Sequence, residues 1–273
     1  RWTEAVTNRT THFRLLVRHP AALTMFFEVC GVSQFFSDIL VRNPEYFEIV
    51  ANPRVRSSGS SSARLYRELS LFVDGIVRRE LKLEAMRRFR HRELLRIGVR
   101  DILGIAGLAA TAREFSDLAD VCVQKALELA AAEVGELPSP LSVIAMGKLG
   151  GRELNYSSDI DLLFVCGDEG GEEGLQAALR AAEKVVSALS RNLQNGHLFR
   201  VDVRLRPEGR FGPLVRTLSS YAAYYESWAE PWEFQALIKA RPIAGDAALG
   251  RSFMDLVAPM VYRRRPAPSF VEA

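Results

Sequence analysis

The sequence predicts an α+β fold that is mostly helical, on three observations along its 273 residues. Apolar residues recur at three- and four-residue steps at Leu65, Leu69, Phe72 and Ile76. The pattern largely repeats along Leu118, Val121, Cys122, Lys125 and Leu129, as expected of amphipathic helices packed together. Two apolar runs of strand length, Leu141–Met146 and Ile160–Val165, flank a glycine-rich turn. Pro138-Ser139-Pro140 breaks the helical pattern just before the first run. The expected organisation is a helical domain over 1–137, a sheet-containing domain over 138–245 and the start of a C-terminal helical region over 246–273.

In chain order, Ser57-Ser58-Gly59-Ser60-Ser61-Ser62 reads as a flexible loop between helices. In the cluster Arg87-Arg88-Phe89-Arg90-His91-Arg92, Phe89 falls at helical spacing with Leu83 and Met86. A solvated helix face is therefore expected, apolar members inward and arginines snorkelling out. After the second apolar run, Gly167–Gly174 is a polar turn with solvent-exposed acids, leading into a helix from about Leu175 to Leu193. Tyr221 to Ala240 is rich in aromatics, and Met254 to Val261 marks the start of another helix. The first residue is not Met and the chain stops soon after Arg263-Arg264-Arg265, which suggests a fragment of a longer protein.

Composition excludes several classes. A hydrophobic content of 48% is ordinary for a globular chain and excludes a disordered one. No apolar run approaches the roughly 20 residues that span a bilayer, and Arg1 to Pro20 contains no signal-peptide core. A cytoplasmic protein with no membrane partner is expected. Cys30, Cys122 and Cys166 lack C-x-x-C spacing, as do reduced core thiols. His12, His19, His91 and His197 form no zinc pattern, and His197 reads as a turn residue. The net charge of +3 demands no polyanion, so no nucleic-acid partner is expected.

The segment Gly147-Lys148-Leu149-Gly150-Gly151 through Asp159-Ile160-Asp161 carries the chemistry. Residues i and i+2 of a strand face the same way, so Asp159 and Asp161 project together. Paired carboxylates repel unless something offsets their charge, and hard oxygen ligands suit Mg²⁺ or Mn²⁺. Val201-Asp202-Val203-Arg204-Leu205-Arg206 supplies a third acid, with alternation placing Asp202, Arg204 and Arg206 on one face. Arg204 and Arg206 suit phosphate, and the equal alternative is that one merely pairs with Asp202. The glycine turn fits neither the P-loop nor the dinucleotide spacing, yet its N–H groups can form an anion nest. Lys148 could touch a phosphate or stand solvated. Taken singly, each motif fits a structural role, such as a loop acid pair or a half-exposed strand. Their joint order favours a phosphate cradle beside a metal site.

Three long runs carry a family resemblance: G-K-L-G-G-R-E-L-N-Y-S-S-D-I-D-L, then F-R-V-D-V-R-L-R-P-E-G-R-F-G-P-L, then W-E-F-Q-A-L-I-K-A-R-P. The chain resembles the glutamine synthetase adenylyltransferase/adenylyl-removing enzymes, within the DNA polymerase β-like nucleotidyltransferases. The likeness extends upstream through Phe35–Glu45 and Arg92–Gly98 and weakens at both ends. It implies a nucleotidyltransferase domain with a small mixed sheet.

The family's full-length enzyme carries two such copies, one attaching AMP to a tyrosine of glutamine synthetase and one removing it by phosphorolysis. The wording of Asn155–Asp161 and Gly209–Leu214 is more similar to the adenylyl-removing copy. The resemblance implies Asp159, Asp161 and Asp202 as catalytic metal ligands for Mg²⁺. Gly147, Lys148, Gly150, Gly151, Ser158, Arg204 and Arg206 would contact phosphate, ADP or ATP. Lys239 and Arg241 would line the active-site mouth or bind glutamine synthetase, or simply end a helix. Expected partners are glutamine synthetase and a PII-type signal protein. ATP-dependent adenylylation by the same fold is the alternative activity. A non-catalytic scaffold is disfavoured by the three intact acids.

Overall fold

The computed structural model describes residues 20–53, 59–192 and 196–262. His12, His19, the start of the serine-rich loop and Arg263-Arg264-Arg265 lie outside them. Among the described residues there are eleven α-helices and five short strands, a mostly helical α+β chain.

The first helices, α1 (Pro20–Val32), α2 (Gln34–Arg42) and α3 (Phe47–Ala51), form a small cluster of their own. Ser33 caps α2, its Oγ accepting the Phe36 N–H at 3.3 Å. Phe26, Phe36, Leu40, Phe47 and Val50 pack together and rest on Leu95 and Val99 of α5 (Arg79–Ile102). The seat is a glycine: a Cβ at Gly98 would lie 2.0 Å from Phe36 Cζ, so only a bare backbone lets that ring approach.

The long helices α4 (Ser62–Val73), α5 and α6 (Leu108–Val134) pack side by side. Helix α4 ends at Val73, short of Ile76 in the expected repeat; Ile76 still packs on the core beyond it. The arginine cluster departs from expectation. Arg88 is exposed, but Arg87 is fully buried and donates to the carbonyls of Ala188, Arg191 and Gly196. Helix ends leave carbonyls unpaired, and here a neighbouring helix supplies the donors. Two turns on, Arg96 and Arg100 are also buried, both bound to Glu114 of α6, with Arg96 also held by Glu93.

The sheet consists of β1 (Leu141–Met146), β2 (Ile160–Cys166), β3 (Val201–Asp202), β4 (Val215–Thr217) and β5 (Arg241–Gly245). Its order is β3-β2-β1-β5, with β4 also on β2. The β1 pairings are antiparallel, while β3 and β4 run parallel to β2. Period-2 alternation divides β2 between two cores. Ile160, Leu162, Phe164 and Cys166 face α6 and α8 (Gly171–Ser190), whereas Leu163 and Val165 face α9 (Leu218–Ser227), α10 (Pro231–Leu237) and α11 (Ala247–Val261). One hydrophobic cluster runs from Leu65 of α4 to Ala244 of β5, so the core crosses the Pro138–Pro140 break without interruption.

Sequence periodicity placed β1 at its observed limits and β2 one residue short. Helix α8 begins four residues before the expected Leu175, and α11 seven before Met254. The expected strand at 201–206 is a correction. Only Val201 and Asp202 pair, after which the chain turns. Val203 stays with the larger cluster and Leu205 crosses to the opposite one, so the alternating faces are not maintained.

Candidate active site

The acids gather where β2 begins. Register sets Asp161 of β2 directly beside Asp202 of the parallel β3. Asp161 is half-buried and its carboxylate lies against Gly147, where a Cβ would stand 2.4 Å from Asp161 Oδ2. Gly147 also adopts φ +53° at the turn from β1 into the one-turn helix α7 (Gly147–Gly150). Both the angle and the space require glycine. Burial, then Asp202 and Asp159, push the Asp161 carboxyl up, partly relieved by Arg204 and Lys148.

Asp202 moves the other way: hydrogen bonds from Arg204 hold its carboxyl low despite partial burial. Both its oxygens lie 3.0 Å from Arg204 Nε, and the Arg204 backbone N–H adds a 2.8 Å bond. Asp159 is one residue outside β2 and exposed, held at 2.5 Å by Arg200 Nε; Arg200 also donates to the Ser157 carbonyl at 2.6 Å. Arg200 is a site residue outside those predicted from the sequence. Its signal was the i, i+2 relation to Asp202, which puts both side chains on one side of an extended chain.

The remaining candidates divide by their partners. Lys148 is exposed on α7, close enough for its charge to bear on Asp161. Ser158 Oγ donates to Asn155 Oδ1 at 2.7 Å and knots the loop before Asp159. Gly150 is buried, and a Cβ there would meet the Lys239 carbonyl at 2.1 Å; at Gly151 it would meet Lys239 Cδ at 2.8 Å. These glycines thus let the approach to β5 pass close by. Arg206 donates to the carbonyls of Val203, Gly212 and Arg210, shaping the turn after β3. Arg241 forks onto Asp120 at 2.7 and 3.1 Å and onto the carbonyls of Leu149 and Gly150, tying α7 to α6. Lys239 pairs with Glu153 at 2.6 Å.

The arrangement can bind a divalent cation through oxygen ligands. Burial first, and the neighbouring Asp202 and Asp159 second, raise the Asp161 carboxyl; a cation between Asp161 and Asp202 would offset the repulsion. Among the described residues no three metal-ligating side chains converge on one point, because Arg200 draws Asp159 aside and Arg204 covers Asp202.

A family model described as glutamate-ammonia ligase adenylyltransferase matches residues 23–255. The chain belongs to this family. Three similar curated proteins each carry the name bifunctional glutamine synthetase adenylyltransferase/adenylyl-removing enzyme. The one from Streptomyces avermitilis is 41% identical over 249 residues, covering 89% of this chain and 24% of the relative. The one from Mycobacterium tuberculosis is 36% identical over 268 residues, 94% of this chain and 27% of the relative. That from Cutibacterium acnes is 42% identical over 196 residues, 69% and 20%. The chain therefore spans about a quarter of the length of such relatives. All three acids lie within the part matched by the adenylyltransferase family model.

Proposed function

We propose that this chain removes AMP from adenylylated glutamine synthetase by phosphorolysis, as the adenylyl-removing copy of its family. The observation that carries the reading is the register pairing with Asp202 of Asp161, which lies against the glycine turn, Asp159 being two residues away in the chain. The names of the relatives point to glutamine synthetase as the protein acted upon. The wording of Asn155–Asp161 points to removal rather than attachment. A PII-type protein is the proposed regulator and the cytoplasm the proposed location. Among the described residues no helix is long and apolar enough to cross a membrane.

In this reaction an oxygen of hydrogenphosphate attacks the phosphorus of adenylyl-tyrosine. The P–O bond to tyrosine breaks with its electron pair on the phenol oxygen. The proton lost by hydrogenphosphate ends on that oxygen, giving ADP and free tyrosine. A phenol of pKa near 10 is a tolerable leaving group, so no dedicated general acid is required. Asp161 and Asp202 would hold Mg²⁺ or Mn²⁺, joined by Asp159 once it leaves Arg200. The cation would neutralise charge on the phosphoryl and phenolate oxygens. Lys148 stands beside the acids as a cation available to a phosphate, Arg204 would become one on leaving Asp202, and Gly147 keeps Asp161 in place.

Incubation with adenylylated glutamine synthetase, Mg²⁺ and phosphate should release ADP in a phosphate-dependent manner. The relatives' names also cover the forward activity, so ATP with unmodified synthetase is the parallel reaction. AMP transfer from ATP without phosphate-dependent ADP release would replace the first reading by the second. Synthetase binding without either reaction would make the chain a scaffold.

A further inference from the structure

Arg200 also lines a cavity of about 330 Å³ whose polar lining includes Arg42, Arg90, His91, His197 and Ser158. These side chains come from α2, from α5 and from the segments that lead into β2 and β3. Three guanidiniums and two imidazoles therefore share one small space, and no acidic side chain lines it among the described residues. The one carboxylate paired with any of these groups, among the described residues, is Asp159 on Arg200.

Three guanidiniums so close together are unfavourable without a counter-ion. Arg90 lies over the Phe199 ring at 4.7 Å, and its Nε is buried with no hydrogen-bond partner among the described residues. A buried donor left unpaired costs free energy that an added acceptor restores. Burial first, then the charges of Arg90, Arg42 and Arg87, push His91 down to about 4, so its imidazole is neutral at pH 7 and offers an N–H donor.

We propose that this cavity is a binding site for a phosphate-class oxyanion. Arginine forks match the tetrahedral oxygens of phosphate, imidazole N–H groups add donors, and Ser158 adds a hydroxyl. Arg200 belongs to both places, since it lines the cavity and holds Asp159. An anion that engages Arg200 competes with Asp159 for it and so frees a carboxylate for the catalytic cluster. Two sources share this chemistry, inorganic phosphate and the terminal phosphoryl group of a nucleotide. The role as a reactant site rests on the phosphorolysis reading; the binding does not.

Isothermal titration of the chain with sodium phosphate at constant ionic strength tests the site directly, with ADP titrated separately. Saturable 1:1 phosphate binding is expected. Arg42→Ala and His197→Gln should each weaken it by roughly tenfold, as loss of a charge-assisted hydrogen bond does. Arg251→Ala, which removes an exposed cation on α11, should leave it unchanged. Arg42 is exposed and His197 only partly buried, and circular dichroism melts check that both variants remain folded. If phosphate does not bind but ADP does, with the same two variants weakening it, the occupant is the nucleotide's phosphoryl group. Absence of both, or equal affinity in all variants, overturns the inference. Phosphate binding without ADP release from adenylylated synthetase would leave the site standing and remove the phosphorolysis reading. ADP release with both the phosphate KM and the ADP affinity unchanged in the two variants would do the reverse.

Discussion

Asp161 combines three stresses in one side chain: partial burial, a facing Asp202 and a nearby Asp159. A carboxyl held above its ordinary pKa costs stability once ionised. That cost is present above the raised value and disappears as pH falls through it. Asp161→Asn should therefore abolish metal-dependent turnover while raising the melting midpoint at neutral pH by roughly 2–4 °C, about 1 kcal/mol for a domain of this size. The gain should shrink in mild acid, and parallel melts at two pH values check the sign. Gly147→Ala should reduce turnover more than stability. The left-handed backbone costs about 1 kcal/mol, whereas the new methyl group displaces the Asp161 carboxylate. Turnover beside a circular dichroism melt separates the two effects, and unchanged turnover would remove Gly147 from the site.

Elements are held together here by a few side chains that reach across. Arg87 of α5 serves the C-terminal carbonyls of α8, so Arg87→Leu should destabilise the protein by about 2 kcal/mol through unsatisfied carbonyls. Denaturant melts give the value, and a change within error would mean that water replaces the guanidinium. Gly98→Ala drives a methyl group into Phe36 and should cost about 1–3 kcal/mol by overpacking, lifting α2 from α5. The pair of short strands on β2 shows why element limits were legible only in part. Strands β1 and β2 are buried on both faces, so their runs are almost continuously apolar. Strands β3 and β4 have two and three residues, too few to establish a period, and β5 carries a proline and a glycine.

Across the whole molecule, one cluster joins α4, α5, α6, α8 and the sheet, while α1–α3 form a separate cluster resting on Leu95 and Val99. Hydrogen exchange under native conditions should therefore show β1, β2 and α6 opening only with global unfolding. The α1–α3 unit should open at lower free energy. Equal protection throughout would show that the two clusters unfold together. This division matters for the site, because Arg42 and Arg90 approach the same cavity from α2 and α5.

The sequence by itself determined the α+β class, the two central strands, the order of Asp159, Asp161 and Asp202, and the family motifs that surround them. Those features depend on near neighbours in the chain, through periodicity, breakers and fixed spacing. Tertiary structure alone decided that Asp161 faces Asp202, that Arg200 holds Asp159, and that Arg206 and Arg241 serve backbone carbonyls. It also buried Arg87 and brought Arg42, Arg90, His91 and His197 to one cavity. Each of these depends on which charge or carbonyl arrives from a distant element. A guanidinium reads the same in sequence whether it meets water, a carboxylate or a helix end; only the packed chain selects its partner.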